Sequence, residues 1–296
     1  MKLALGTVQF GLAYGITNAS GQVSESTARD ILLRAKDAGV EVLDTAAAYG
    51  ESEIVLGRAH SETRGFRIIS KTLPLASAGE SDPVGQVVAR VGESLARLRV
   101  TQLDGLLVHH ASDLLGSHGK ALYSALQRLR GNGAIAQLGT SVYTPEEARA
   151  IAQDFAIDLI QVPINVLDQS FATSGTLAWL RERNIEVHTR SAFLQGLLMA
   201  DVLPSFLKSL TPGFERFRDI CREAGLSPLE GALSFLRTLP IDHIVTGVQN
   251  VAQLDEIVAA WQRVQTLNVD GFAACNMATS PAVNPANWAR MLKEST

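Results

Sequence analysis

Gln137-Leu138-Gly139-Thr140-Ser141, Thr144-Pro145-Glu146-Glu147 and Leu159-Ile160-Gln161-Val162-Pro163 follow one another within residues 137–163. The first and last are short runs rich in apolar residues, as strands covered on both faces should be. Between them, Thr144 offers a cap, Pro145 suits the first helical position, and two acids face the positive end of a helix. Strand, helix, strand is one βα unit and the start of the next.

The same grammar repeats along the chain. Eight runs read as strands: Leu3–Gly6, Val40–Asp44, Arg67–Lys71, Gly105–His109, Gln137–Ser141, Leu159–Pro163, Glu186–Arg190 and His243–Gly247. The first seven start 22 to 38 residues apart, one βα unit each, and the longer gap before the eighth has room for extra helices. Ser24 caps a predicted helix that buries Ala28, Ile31, Leu32, Ala35 and Ala38, with Gly39 ending it. Pro83 opens another, with Val84, Val87, Val88, Val91, Leu95 and Leu98 at helical spacing. Ser227-Pro228-Leu229-Glu230 repeats the Thr144 arrangement. Eight βα units with no composition break predict an α/β fold, a single-domain (β/α)8 TIM barrel over residues 1–296. A doubly wound open sheet is the runner-up, but no G-x-G-x-x-G turn follows the early strands. Residues 268–296 lack periodicity and contain Pro281, Pro285 and Trp288; this tail is expected to cap the pocket or to trail as a mobile terminus.

Composition narrows the function. Of 296 residues, 46% are hydrophobic and 19% charged, which supplies a large core and disfavours disorder and coiled coil. Lys and Arg number 26 against 30 Asp and Glu, a net charge of −4, so no basic excess exists to neutralise phosphates and no nucleic-acid partner is expected. Cys221 and Cys275 are too few for a disulfide framework or a four-cysteine metal site and suit a reducing compartment. The first residues are too polar for a signal peptide and no run of 18 apolar residues occurs, so a cytoplasmic protein without a membrane partner is expected.

In a barrel, reactive groups sit where strands end on the C-terminal face. Asp44, Lys71, His109, Ser141 and Arg190 close predicted strands, Gln161 lies inside one, and Tyr49 follows Asp44. Polar strand ends are common, so one such residue says little; four ionisable types on three successive strands say more. A free tyrosine has a pKa near 10. An ammonium about 4 Å away at an effective dielectric near 20 contributes ~4 kcal/mol, up to about 3 pK units, enough to bring a phenol into the range of proton transfer. Asp44 would keep Lys71 charged, and His109 could donate to a carbonyl oxygen. Such a site suits protonation of an alkoxide as a hydride arrives.

The stretch Asp44-Thr45-Ala46-Ala47-Ala48-Tyr49-Gly50-Glu51-Ser52-Glu53 resembles the D-T-A-x-x-Y-G-x-S-E signature of the aldo-keto reductases. Leu5-Gly6-Thr7-Val8-Gln9-Phe10-Gly11, Ile69-Ser70-Lys71, Leu106-Leu107-Val108-His109, Leu138-Gly139-Thr140-Ser141, Gln161-Val162-Pro163-Ile164-Asn165 and Gln195-Gly196-Leu197-Leu198 resemble further family segments in order, from residue 3 to about 260. The resemblance implies an NAD(P)H-dependent oxidoreductase acting on the carbonyl of a small aldehyde, ketone or sugar. It assigns Tyr49 as general acid/base, Lys71 and Asp44 as its activating pair, and His109 as the carbonyl donor. Ser141 and Gln161 would bind the nicotinamide carboxamide, Gly6 and Thr7 would line the reactive end, and Gly247, Gln249, Asn250 and Gln253 would hold the adenosine phosphate end.

Three departures from the family stand out. Val142 replaces a frequent Asn, and Arg190 replaces a frequent aromatic that stacks on the nicotinamide. No Lys or Arg occurs between Gly247 and Ile257, while Asp255 and Glu256 would repel a 2′-phosphate, so NAD(H) is expected over NADP(H). An alternative reading is an NAD(H)-binding regulatory protein with a protein partner and weak or no turnover. An aldolase using Lys71 as a Schiff base needs a neutral lysine, which Asp44 opposes. No metal is expected. His110 points away from His109 by strand alternation; His60, His118, His188 and His243 read as scattered surface or packing residues, and Cys221 as a packing residue. Phe10, Phe193 and the tail are expected to wall the pocket; Trp179 and Trp261 read as packing residues, and Trp288, in the tail, is better placed than either to touch a ligand without being assigned that role. Tyr14 and Tyr143 sit near strand ends without an assigned role.

Overall fold

The computed structural model describes residues 2–60, 64–77 and 82–294; the last two residues of the predicted tail and the side chain of His60 lie outside the described residues. Eight parallel strands close into a barrel in sequence order, with β1 pairing β8. They are β1 (Lys2–Gly6), β2 (Val42–Asp44), β3 (Arg67–Lys71), β4 (Leu103–Val108), β5 (Ile135–Ser141), β6 (Leu159–Pro163), β7 (Glu186–Arg190) and β8 (His243–Gly247). The single-domain (β/α)8 fold expected from the sequence is present.

The alternation of the strands divides the core in two. Ala4, Val42, Ile69, Leu107 and Leu159 point into the barrel and pack together with Val245. Their neighbours Leu3, Leu5, Leu43, Ile68, Leu106, Ile160 and Ile244 point outward into the larger layer shared with the helices. The interior apolar plug is thus one layer deep, and the positions above and below it on each strand are free for polar side chains.

Helix starts follow the sequence signals. Ser24 accepts a hydrogen bond from Thr27 N, and Thr144 with Glu147 and Ser227 with Glu230 form reciprocal capping boxes. Each cap is worth about 1 kcal/mol. The helix opened by Pro83 is capped by Asp82. Strand limits differ from the sequence reading at five places, the first being β1, which starts one residue earlier, at Lys2. Val40 donates its N–H to Ala35 O after Gly39 turns at φ +78°, so β2 starts at Val42. Both β4 and β5 start two residues earlier than their apolar runs. β4 ends at Val108, and the His109 N–H donates to the Thr72 hydroxyl at 3.3 Å.

The long gap before β8 carries helices Thr211–Glu223 and Pro228–Arg237. The C-terminal tail forms short 3-10 turns at Phe272–Cys275, Pro281–Val283 and Pro285–Asn287, then helix Trp288–Glu294. It is tied to the segment after β6: Met277 N donates to Leu167 O at 2.7 Å and Gln169 Nε2 to Phe272 O at 2.6 Å. Trp288 is buried, its indole donating to Ala282 O at 2.8 Å and its ring set edge-on to Phe206. Trp288 is thus a packing residue: an indole N–H is one donor, and here it is spent within the tail. No helix among the described residues is long and apolar enough to cross a membrane.

Candidate active site

At the C-terminal end of the barrel, β2 and β3 bring a buried ion pair together. Lys71 is 1% exposed. An ammonium survives there only with partners. Its Nζ donates to Asp44 Oδ1 at 2.7 Å and to Thr45 O at 2.9 Å. The second Asp44 oxygen accepts from Gln161 Nε2 at 2.8 Å, across from β6. Burial is the largest influence and opposes the lysine charge, but the Asp44 carboxylate and the Tyr49 phenol together outweigh it and hold the Lys71 pKa above its ordinary value. The same Nζ lies 5.1 Å from the centroid of the Tyr49 ring.

Tyr49 is placed by a tight turn after β2. Its N–H bonds to Ala46 O, and Ser52 N–H bonds back to Tyr49 O, both at 3.0 Å. Gly11 packs against this turn so closely that a Cβ there would lie 1.8 Å from Tyr49 O. Thr7, Thr45 and Ser52 form a buried hydroxyl cluster beneath, with Ser52 Oγ donating to Thr7 O at 2.8 Å. Glu53, also buried, accepts from Ser70 Oγ at 2.7 Å and from Arg97 Nε at 2.8 Å. The residue before Lys71 is thus locked to the residue four beyond Tyr49.

The His109 ring stands edge-on to Tyr49, centroids 6.0 Å apart and planes at 81°. Burial, then the nearby Lys71, His110 and Arg190 charges, push its pKa down to about 3. The imidazole is neutral at pH 7. Its Nδ1 has no hydrogen-bond partner among the described residues.

A cavity of ≈ 1020 Å³ opens here, with a lining that spans from Asp44 and Tyr49 past Thr7 and Gly247 to Ser227, Glu230, Gln253 and Arg263. Two loops clasp each other beside it. Gln195 accepts from Ile16 N at 3.2 Å and, through its backbone, from Thr17 Oγ1 at 3.1 Å; its amide donates to Tyr14 OH at 3.2 Å. Gln195 holds φ +54° to do so, a conformation that disfavours a side chain. Arg190 donates to Val142 O at 3.0 Å and lies 4.3 Å over the Tyr143 ring.

The chain matches known proteins over nearly its whole length. The model of the Aldo/keto reductase family matches residues 2–278. The chain belongs to the aldo/keto reductase family. It is 26% identical over 283 residues to an uncharacterized oxidoreductase of Mycobacterium tuberculosis (strain ATCC 25618 / H37Rv), covering 88% of this chain and 84% of that protein. Its fold is similar to an aldo-keto reductase of Bacillus halodurans in its holo form, with a TM-score of 0.73, 18% identity, and 90% and 88% of the two chains covered. It is also similar to the glycerol dehydrogenase of Gluconobacter oxydans, with a TM-score of 0.66, 20% identity, and 90% and 93% covered.

In this aldo-keto reductase, Gly6, Thr7, Asp44, Tyr49, Gln161, Arg190, Gly247, Gln249 and Gln253 line one cavity. Lys71 sits behind Tyr49. His109, Ser141 and Asn250 lie off the lining; Ser141 is buried at the end of β5, and Asn250 caps helix Val251–Val264 by accepting from Gln253 N at 2.9 Å. Phe193 lines the cavity, but Phe10 is fully buried away from it, and no described residue of the tail lines it. Asp255 also departs from expectation: it pairs with Arg34 instead of facing the cavity, while Glu256 does face it.

The sequence reading missed Gln9, Glu53, Glu230 and Arg263. Gln9 lines the cavity with its Oε1 unpartnered among the described residues, and its amide packs on Gly247, where a Cβ would meet it at 2.6 Å. Arg263 reaches the far end of the cavity from the last turn of its helix and pairs with Glu230 Oε1 at 2.7 Å. Glu53 stood inside the quoted signature, where its burial was the missing clue.

Proposed function

We propose that this oxidoreductase transfers hydride between a nicotinamide dinucleotide and the carbonyl of a small aldehyde, ketone or sugar, with Tyr49 as the proton donor. The observation that carries the reading is the Lys71 ammonium, held by Asp44 and lying 5.1 Å from the Tyr49 ring. A dinucleotide suits the cavity on two counts. Its volume of ≈ 1020 Å³ is at the upper end of the ~300–1,000 Å³ usual for such sites. Among the described residues, the buried Oε1 of the cavity-lining Gln9 has no partner, and neither has Nδ1 of His109, whose ring stands edge-on to Tyr49. Gly6, Thr7, Gln161 and Arg190 would hold the nicotinamide end, and Gln249 and Gln253 the adenosine end. Bound there, a dihydronicotinamide supplies the hydride.

Tyr49 gives its phenolic proton to the substrate oxygen, and the Lys71 ammonium stabilises the negative charge left behind. Asp44 keeps that ammonium charged and aimed, while Gln161 and Thr45 O fix the pair. His109 is neutral, so its ring offers an N–H to the carbonyl without competing as the acid. The roles of acid and hydrogen-bond donor are thereby divided between the two rings.

NAD(H) is the preferred dinucleotide in this reading. The cation at the far end, Arg263, is spent on Glu230, and Glu256 adds a second carboxylate, so a 2′-phosphate finds more negative than positive charge. The test is NADH oxidation against a panel of aldehydes, ketones and sugars by wild type and Tyr49→Phe, with fluorescence titration of NADH and NADPH. Turnover that falls about 10²–10⁴-fold in Tyr49→Phe at unchanged NADH affinity supports the assignment. Tight NADH binding without Tyr49-dependent turnover on any substrate overturns it in favour of a binding or regulatory role. Tighter NADPH binding overturns the cofactor preference.

A further inference from the structure

The opposite end of the barrel holds a second polar cluster, remote from Tyr49. Val187 packs outward into the helical layer, so alternation turns Glu186 and His188 into the barrel. Ile244 likewise packs outward, and His243, the first residue of β8, faces the interior beside His188, its partner in the ladder. Glu186 Oε1 lies 2.8 Å from His188 Nε2 and 3.3 Å from His243 Nδ1. One donor atom from each of the three residues lies within 4.8 Å of the other two.

The hydrogen bonding of this cluster is incomplete. His243 Nδ1 is 3.3 Å from the carboxylate oxygen, yet it is not aligned to bond it and has no hydrogen-bond partner among the described residues. The His243 side chain is nine-tenths buried. His188 is fully buried and its Nδ1 is likewise unpartnered. Buried ring nitrogens are normally satisfied, so the open His243 Nδ1 beside the Glu186 carboxylate, with His188 Nε2 against the same oxygen, points to something seated among the three.

We propose that Glu186, His188 and His243 form a binding site for a divalent cation of the zinc class. Two imidazoles and one carboxylate are a zinc donor set, with bond lengths of about 2.0–2.2 Å that put tetrahedral ligand atoms about 3.3 Å apart. The observed separations of 2.8 Å and 3.3 Å are near that value. His188 would bind through Nε2 and carry its proton on Nδ1, and His243 would bind through Nδ1. Imidazole ligands favour zinc, cobalt or nickel over magnesium and calcium. Arg67 donates to both Glu186 oxygens at 3.2 Å and Gln137 to Oε2 at 3.2 Å, which fixes the carboxylate as outer ligands do, while the guanidinium charge limits affinity. A cation here would pin β7 to β8, whose ladder has two residue pairs, His188 with His243 and Thr189 with Ile244. The site is structural, and its loading does not enter the chemistry at Tyr49.

The test uses tag-free, chelator-stripped protein titrated with Co²⁺ alone, then with Zn²⁺. The expected result is one Co²⁺ per chain with the visible bands of a low-coordinate nitrogen and oxygen site, displaced by Zn²⁺, and a higher melting temperature with Zn²⁺. His243→Gln and Glu186→Gln should each weaken Zn²⁺ binding at least tenfold by calorimetry, while Tyr49→Phe binds like wild type. Absence of the cobalt bands, or unchanged affinity in His243→Gln, overturns the site. Should the variants fail to fold, X-ray absorption of the zinc-loaded wild type decides: scattering from two imidazoles supports the site, and one or none overturns it.

Discussion

The Lys71 ammonium and the Asp44 carboxylate meet at 2.7 Å, with side chains 1% and 6% exposed. Neither charge can turn to water if the other is removed. Asp44→Asn is therefore expected to cost about 3–5 kcal/mol, the penalty of leaving one buried charge unpaired, measured by urea unfolding at pH 7. The pH dependence has a definite sign. The folded pKa of Lys71 is raised above its ordinary value. Its share of stability is fully present below the unfolded lysine pKa and is lost as pH rises through the higher folded value. The alkaline limb of wild-type stability should flatten in Asp44→Asn.

His109 makes the opposite contribution at acid pH. Its folded pKa, about 3, lies below the unfolded value of 6.5. The unfolded chain binds a proton between those values and the folded chain does not, so stability falls as pH drops from about 6.5 toward 3. The size is on the order of 4 kcal/mol. His109→Gln should remove that part of the acid limb, seen as a smaller stability difference between pH 7 and pH 4. A kcat profile governed by a His109 ionisation between pH 5 and 8 would contradict the neutral-donor role.

These two groups also show what sequence can reveal. Asp44, Lys71 and Tyr49 were readable because strand ends on one barrel face converge, and because the signature from Asp44 to Glu53 fixes their spacing. Strand bodies were readable because burial on both faces demands continuous apolar residues. Their limits were not, since Val40 is consumed in closing the preceding helix, which no apolar count reveals. The far end of the cavity resisted for another reason. Arg263 and Glu230 lie on separate helices and meet only once the barrel closes. Likewise, Glu186 and His188 share a face by alternation, but His243 joins them only through the ladder between β7 and β8.

Gln195 holds the two loops beside the cavity through bonds to Ile16, Thr17 and Tyr14. Gln195→Ala deletes the side-chain bonds to Ile16 and Tyr14, each worth about 1 kcal/mol, and keeps the backbone bond from Thr17. Dinucleotide release should quicken by about threefold to tenfold in stopped-flow fluorescence, with global stability lowered by about 2 kcal/mol or less. Unaltered release would mean that the clasp does not restrain the ligand.

Arg263 bears on the choice between the two dinucleotides. Its pair with Glu230 is half-exposed on the arginine side, so water screens it and its worth is about 1 kcal/mol or less. Glu230→Gln removes the charge while retaining an amide that can serve the capping box with Ser227. The freed guanidinium then faces the end of the cavity where a 2′-phosphate would sit, and one of the carboxylates opposing it is gone. The ratio of NADPH to NADH affinity should rise by about fivefold or less, consistent with an exposed pair, with NADH affinity itself nearly constant. Fluorescence titration of both dinucleotides against wild type and Glu230→Gln measures the ratio. A ratio that stays fixed while the variant folds normally would place the selectivity elsewhere, with Glu256 as the remaining carboxylate on that wall.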